Sequence, residues 1–357
     1  MPQLKIATFN VEWLISIFGG QWKNWNGKIP ASFPGRTGPI RLAPIKDVPG
    51  LCQRIAGVIR QVDPDILGIE EGSPLLAQMQ LFVTRFLNDR YHVYQSNEKQ
   101  QSIFALAKKA LVGHLTHEPH DGQALALLNG KFPYYPWLGF QVQDRKHHQF
   151  DRIPLVLKFR PAGQKELQIV VVHTKSKFSK LKTRKQWENR EKEAVLSALD
   201  SRQKLSAEVG QLRKYVTAQL QPRDPNKGVL VMGDFNDGPF ADLMEQEFLL
   251  HNIVDELVGS FLDPDKYLTH AMTPAVMAKA ETVRFPDPLN NGQIVGEFID
   301  HVLLSPSIVS GNGAFTLRAN SCRVETAAYD QFNADMNDND RGLRPSDHRP
   351  VSAIIDY

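Results

Sequence analysis

Cysteine is nearly absent from this 357-residue chain. Cys52 and Cys322 lie far apart and in no metal-type spacing, which excludes a disulfide framework and a thiolate zinc site. Long apolar runs are also missing. No segment approaches the length needed to span a bilayer, and no signal peptide precedes the first strand pattern. The expectation is a reduced, cytoplasmic monomer with no membrane partner. Charge of one sign is not in excess either: the net charge is +3, which says little about partners unless the charge is clustered. There is no repeat of fixed period, no extended low-complexity segment and no linker that divides the chain. Residues 1–357 are therefore read as a single domain, with long loops near 19–50 and 329–345.

What is present is a large apolar fraction, 42%, enough for a sizeable core. Lys5–Val11 reads as a strand. Leu51, Ile55, Val58, Ile59 and Val62 recur at helical spacing. A strand at Asp65–Ile69 and a helix over Leu75–Phe86 follow. This alternation indicates an α/β fold. Further short strands are expected at Ile103–Ala107, Trp137–Val142, Leu155–Phe159 and Leu167–Val172. A long charged helix is expected from about Ser179 to Leu220, interrupted near Gly210. Strands then run into Asp234, over His301–Leu304 and over Val351–Ile355. The Gly/Pro-rich stretch Gly19–Gly50 and the polar stretch Tyr329–Arg344 read as loops. Trp22, Trp25 and Phe33 in the first of these are expected to pack that loop rather than stack on bases.

The strand-like runs end in polar clusters. Gly228–Met232 stops at Gly233-Asp234-Phe235-Asn236. Phe298-Ile299-Asp300-His301 opens another run, and Ser346-Asp347-His348-Arg349-Pro350 leads into the last. Upstream lie Phe9-Asn10-Val11-Glu12 and Ile69-Glu70-Glu71. Asn10, Glu71, Asp234, Asn236 and Asp347 supply the oxygens that a hard divalent cation such as Mg²⁺ prefers. His173 ends an apolar run and His348 follows a carboxylate. Histidine transfers protons near neutral pH, and Asp300 could fix the His348 tautomer. Asp234 and His348 both remain open as the general base.

In order, Phe9-Asn10-Val11, Ile66-Leu67-Gly68-Ile69-Glu70-Glu71, Gly233-Asp234-Phe235-Asn236, Ile299-Asp300-His301-Val302-Leu303 and Ser346-Asp347-His348-Arg349-Pro350-Val351 resemble the endonuclease/exonuclease/phosphatase superfamily. The resemblance spans residues 4 to 356. It implies a DNase-like four-layer α/β sandwich, two packed mixed β-sheets flanked by helices, and Mg²⁺- or Mn²⁺-dependent cleavage of a phosphoester. By motif position, Asn10 and Glu71 would hold the metal and Asp347 would support it. Glu70 stands where the family often has glutamine. Asp234 and Asn236 would position water and phosphate, and Asp300 would orient His348. His173 would protonate the leaving oxygen. Glu12 departs from the pattern, where apurinic endonucleases carry a shorter carboxylate.

Substrate is read from charge clustering. His173-Thr174-Lys175-Ser176-Lys177-Phe178-Ser179-Lys180-Leu181-Lys182-Thr183-Arg184-Lys185 holds six Lys/Arg and no acid, the kind of cluster that contacts a phosphate backbone. Arg145-Lys146-His147-His148 and Arg152 add a second patch. Arg152, Lys175, Lys177 and Lys180 are the expected substrate contacts, and nucleic acid, DNA in first place, is the expected partner. Phe150-Asp151-Arg152-Ile153-Pro154-Leu155 resembles the DNase-type segment whose arginine meets the DNA backbone. The chain lacks the Trp-containing Gly-Asp-x-Asn variant and the Cys-Asp-Arg motif of inositol phosphatases, and no apolar hairpin of the sphingomyelinase kind is visible. The function expected is a metal-dependent nuclease. A phosphodiesterase or phosphatase for a small or lipid phosphoester is the alternative, and a catalytically inactive binding module a distant one.

Overall fold

A computed structural model describes residues 1–357 apart from 39–40, 119–122, 162, 164, 221–223, 249 and 336–339. The Asn337-Asp338-Asn339 part of the polar stretch lies outside the described residues.

Among the described residues, seven strands, numbered along the chain, form the first sheet: β1 (Gln3–Asn10), β2 (Ile66–Gly72), β3 (Tyr91–Gln95), β4 (Ser102–Lys108), β15 (Thr316–Leu317), β16 (Arg323–Val324) and β17 (Val351–Asp356). Their order is β15-β17-β1-β2-β4-β3, with β16 also on β17. The second sheet has the order β11-β14-β10-β9-β8-β5. Its members are β5 (Leu115–His117), β8 (Leu155–Phe159), β9 (Glu166–His173), β10 (Lys227–Asp234), β11 (Thr269–His270) and β14 (Asp300–Leu304). Two hairpins stand apart, β6 (Phe132–Tyr134) with β7 (Lys146–His148), and β12 (Val283–Asp287) with β13 (Gln293–Glu297).

Successive strand residues face opposite sides of a sheet, and that period sorts the core into layers. Leu4, Ile6, Ile66, Ala353 and Ile355 meet Leu167, Ile169, Val171, Leu230, Met232 and Val302 between the sheets. The alternate residues Phe9, Leu67 and Ile69 pack outward against α1 (Val48–Val62) and α2 (Leu76–Phe86). Val170, Val172, Val229 and Val231 pack on the far side against α5 (Lys192–Gln219), α7 (Ile253–Val258) and residues of α3 (Gln123–Asn129). The short helices α4 (Arg184–Glu188) and α6 (Leu243–Phe248) flank one end. The result is the expected four-layer α/β sandwich. The sheets approach closely at Gly68, where a Cβ would lie 2.7 Å from Val171 Cγ1.

Three expectations are corrected. Trp137–Val142 forms no strand: Leu138, Phe140 and Val142 are exposed in a turn region, with no partner strand among the described residues. The long helix begins at Lys192, because residues 179–183 form coil and Arg184–Glu188 a separate turn of helix. It passes through Gly210 unbroken, since Leu205, Val209, Leu212 and Val216 on either side are buried on the sheet and hold it there. Within the stretch expected as a loop, Phe33, Leu42 and Ile45 are buried, and Trp25 packs edge-on against Phe18 at 5.6 Å.

β1 runs parallel to β2, and β9 parallel to β10, while β14 and β17 run antiparallel to their neighbours. The C-terminal ends of the four parallel strands and the N-terminal ends of β14 and β17 therefore share one edge of the sandwich. The polar clusters lie there.

Candidate active site

Strand register builds the site. Asp234 pairs with His173 on one side and Asp300 on the other, so three side chains stand in one row across adjacent strands. Gly233 makes the row possible: its φ is +143°, and a Cβ there would fall 1.9 Å from the Val172 carbonyl oxygen. From the facing sheet, Asn10 Nδ2 donates to Asp234 Oδ2 at 2.9 Å. Asn10 Oδ1 accepts the Glu12 N–H at 3.0 Å.

Glu70 and Glu71 are adjacent, so simple alternation would send them to opposite faces. The register between β2 and β4 shifts between Ile69 and Gly72, and Glu71 takes a left-handed φ of 54°. Glu70 points between the sheets and accepts from Thr8 Oγ1 at 2.6 Å. Glu71 Oε2 accepts the Trp13 N–H at 2.8 Å, while its Oε1 lies 4.0 Å from His173 Nε2. Glu12, Trp13 and Asn236 share the left-handed conformation, which non-glycine residues rarely adopt and which gathers at functional sites.

His348 Nδ1 donates to Asp300 Oδ2 at 2.8 Å. Its Nε2 faces Asp234 Oδ2 and Asp347 Oδ1, each at 4.0 Å. Ser346 ties this segment to β1 by donating to the Asn10 carbonyl at 2.7 Å, and its oxygen accepts the His348 N–H. His173 Nε2 lies 3.5 Å from Asp234 Oδ2. Asn236 donates its backbone N–H to Asp234 Oδ1 at 2.7 Å and its side-chain amide to the Thr174 carbonyl at 3.0 Å. All eight residues expected to carry catalysis or metal thus converge at this edge.

The two histidines are pushed in opposite directions. Burial opposes charge on His348, but Asp300, Asp234 and Asp347 outweigh it and raise its pKa well above the usual imidazole value. Burial, then Arg152, His348 and Lys175, push His173 well below. His348 is thus drawn toward its charged form and His173 toward its neutral form. Burial raises Glu71 to about 7, with Asp347 adding to it, and raises Asp234 to about 6, with Asp300 adding. Burial also lifts Glu70 well above the carboxylate range, and one of its oxygens has no hydrogen-bond partner among the described residues. A neutral Glu70 has the shape and charge of the glutamine it replaces in the family pattern.

The donor set fits a hard cation. Glu71 has an oxygen turned toward the cluster, Asp347 is a quarter exposed beside it, and the burial that raises the Glu71 pKa, with Asp347 adding to it, leaves a carboxylate whose charge a divalent ion would offset. The tightest acid group among the described residues is elsewhere, at Asp237, Asp242 and Glu245. Arg202 and Lys177 already neutralise those acids.

The expected substrate contacts divide. Arg152 does not reach outward: its guanidinium donates to the carbonyls of His173 (3.2 Å) and Thr174 (2.6 Å) and to Gln101 (2.8 Å), bracing the end of β9. Lys177 lies between Asp237 and Asp242 at 2.9 and 3.2 Å. Lys180 is exposed and pairs with Glu193 at 3.4 Å, and Lys182 sits over the Phe178 ring at 3.3 Å. The basic run is therefore largely matched by protein partners. Lys175 remains beside the site, its backbone N–H donating to Glu208.

Glu12 has a structural place. Its carboxylate pairs with Arg344 at 2.8 Å and Arg341 at 3.3 Å. Arg341 also donates to the carbonyls of Val11 and Pro345 at 2.8 and 3.2 Å, clamping the segment before Asp347 onto the end of β1. Reading the sequence did not single out Thr8, Thr174 or Thr282. Thr8 was within reach, because it shares the strand face of Asn10 two residues on. Thr282, whose oxygen accepts the N–H groups of Ile299 and Asp300, carried no signal.

The Endonuclease/Exonuclease/phosphatase family profile matches residues 7–348. The chain belongs to this family. It is a phosphoesterase by that membership. No curated protein matches the chain. Among solved structures, truncated TDP2 of Caenorhabditis elegans is 15% identical, with a TM-score of 0.47, covering 99% of this chain and 98% of that one. An endonuclease/exonuclease/phosphatase from Bacteroides vulgatus is 12% identical, with a TM-score of 0.48 and coverage of 100% and 99%. The human Nocturnin catalytic domain with bound sulfate anion is 13% identical, with a TM-score of 0.49 and coverage of 100% and 95%. Likenesses at this level leave the substrate to be argued from the site itself.

Proposed function

We propose that this chain is a Mg²⁺- or Mn²⁺-dependent phosphodiesterase acting on nucleic acid, DNA in first place. The observation that carries the reading is the Asp300–His348 pair at 2.8 Å, set against Asp234, with His173 and Glu71 beyond it. A cation held by Glu71, with Asn10 and Asp347 beside it, would supply the positive charge that offsets the phosphoryl oxygens. Asp234, oriented by Asn10 and Asn236, takes the proton from the attacking water. Neutral His173 is the neighbouring acceptor. His348, kept protonated by Asp300, gives its Nε2 proton to the departing oxygen. His173 and His348, their pKa values pushed apart in one site, supply the neutral acceptor and the charged donor that acid–base chemistry needs.

One observation favours a second reading, a lipid or small phosphoester. The β12–β13 hairpin meets the His348 segment at Val283 and carries an exposed Ile294, a feature the sequence did not reveal. The deciding experiment offers purified protein plasmid DNA, linear DNA, RNA, a phospholipid diester and an aryl phosphodiester, with Mg²⁺ and with chelator. Cleavage of nucleic acid that needs the ion and falls at least 100-fold in His348→Ala supports the reading. Undiminished turnover after exhaustive chelation sinks the metal, and turnover of the lipid alone transfers the function to the second reading.

A further inference from the structure

Beside the cluster lies a cavity of about 400 Å³. Its walls come from three places. The β6–β7 hairpin and its approach give Lys131, His147 and His148. α5 gives Lys204. The segments flanking the His173 brace give Asp151 and Lys175. Lys175 is two residues beyond His173, at most about 7 Å along an extended chain. Asp151 immediately precedes Arg152, whose guanidinium holds the His173 and Thr174 carbonyls. The cavity is therefore joined to the catalytic edge through a fixed support.

Its charge is positive and structurally backed. Three lysines line it against one acid, Asp151. Behind them, Asp200 pairs with Lys204 at 2.7 Å. Buried Glu208 receives His148 Nε2 at 2.8 Å and the Lys175 N–H at 2.7 Å, fixing two wall residues in place. Burial, and then Arg152, lower the Lys175 pKa, with Glu208 opposing and Lys204 adding to the shift.

We propose that this cavity is a second anion site, which takes a phosphate group of the substrate other than the one being cleaved. It rests on the phosphodiesterase reading above and deepens it. The bound group is either the adjoining phosphate of a polynucleotide strand or the second phosphate of a small bisphosphorylated molecule. A phosphate suits the lining, because lysine binds it as a point charge and several lysines can share its oxygens. Lys204 keeps Asp200 behind it and Lys175 Nζ donates to the Ser176 carbonyl at 2.7 Å, so both ammonium groups are held at the edge of a volume that a phosphate would fill.

The test compares the parent with Lys131→Gln/Lys204→Gln, both surface positions outside the catalytic cluster. Binding of a fluorescent hexathymidylate is followed by anisotropy in chelator across a salt series, and binding of a nucleoside 3′,5′-bisphosphate by calorimetry. The variant should bind the hexamer about tenfold more weakly at low salt. Its log–log salt slope should flatten by about 0.7, the value for one single-strand phosphate. Turnover of an aryl phosphodiester, which has one phosphate, should stay within twofold of the parent. If only the bisphosphate loses affinity, the site serves a small molecule. Parental affinity for both probes overturns the proposal, as does an equal loss on the aryl diester, which would mean a disturbed catalytic edge. A parent that binds both probes through these lysines yet hydrolyses no phosphodiester with Mg²⁺ refutes the phosphodiesterase reading and leaves the anion site standing.

Discussion

Replacing Asp300 by asparagine changes one atom and removes one charge. The carboxylate accepts from His348 Nδ1 at 2.8 Å in a buried setting. A hydrogen bond to a charged group contributes about 1.5–3 kcal/mol, and each 1.36 kcal/mol on the barrier is tenfold in rate. Asp300→Asn should thus lower kcat roughly 10- to 150-fold. KM should change little if His348 acts on developing rather than ground-state charge. Stability should fall as well. Asp300 raises the pKa of both Glu70 and Asp234, so it crowds other acids, and its second oxygen has no partner among the described residues. Removing its charge relieves that crowding but takes the nearest counter-ion from buried His348, so the unfolding free energy should fall by about 1.5–3 kcal/mol. The pH profile gives an independent sign. Asp300 raises the His348 pKa, so its loss lowers that pKa and strips the proton at lower pH. The basic limb of kcat should move toward acid. Steady-state hydrolysis from pH 5 to 9, beside urea denaturation at pH 7, reads all three. A kcat within twofold of the parent, or a basic limb that does not move, refutes the assignment of His348 as the proton donor.

Other outcomes follow from the same geometry. Glu71→Gln should lose Mg²⁺-dependent turnover yet gain stability in chelator. Its folded pKa of about 7 lies above the unfolded 4.5, so the parent loses up to about 3 kcal/mol as pH rises through that window, and the variant does not. The difference in melting temperature should vanish near pH 4, appear by pH 8 and close for the parent on adding Mg²⁺. His270 Nε2 meets His301 Nδ1 at 3.0 Å, and burial depresses both, His270 to about 3. Both must stay neutral in the fold, so stability is full above the unfolded value of 6.5 and falls as pH drops toward 3, by up to about 5 kcal/mol from His270. A urea midpoint that does not fall between pH 7 and 4 contradicts this. Lys177→Gln should cost about 1–3 kcal/mol of stability, because Asp237, Asp242 and Glu245 would be left with Arg202 alone. The salt slope of oligonucleotide binding should not change; a flatter slope would restore Lys177 as a phosphate contact.

Much of the sandwich was legible because each central strand is an apolar run that stops abruptly. Asn10, His173 and Asp234 were visible at those stops. Thr8, facing the same way, was not, since a threonine inside a strand needs no explanation. The β12–β13 hairpin escaped notice because Pro286 and the charges at Arg284 and Asp287 interrupt its pattern, and its pairing to Gln293–Glu297 is local. Residues 137–142 look like a strand by composition, but nothing in composition says whether a neighbour exists to accept the hydrogen bonds. The partners of the basic run were hidden for a related reason. A lysine's partner is set by the fold, and Asp237 and Asp242 reach Lys177 from sixty or more positions away in sequence. Glu12 had no readable role until Arg341 and Arg344 came back to it from the far end of the chain.

The close approach at Gly68 reaches beyond packing. Asn10 and Glu71 ride on one sheet, His173 and Asp234 on the other, and the Asn10–Asp234 hydrogen bond is a slender tie between them. What sets their separation is the thickness of the apolar filling, gauged where Gly68 lets Val171 and Met232 come near. The protein's catalytic calibration is therefore written partly in hydrocarbon. A methyl group gained or lost midway between the sheets could retune the reaction while every polar residue stays as it is, and activity in such a fold can drift through positions that no inspection of the chemistry would nominate.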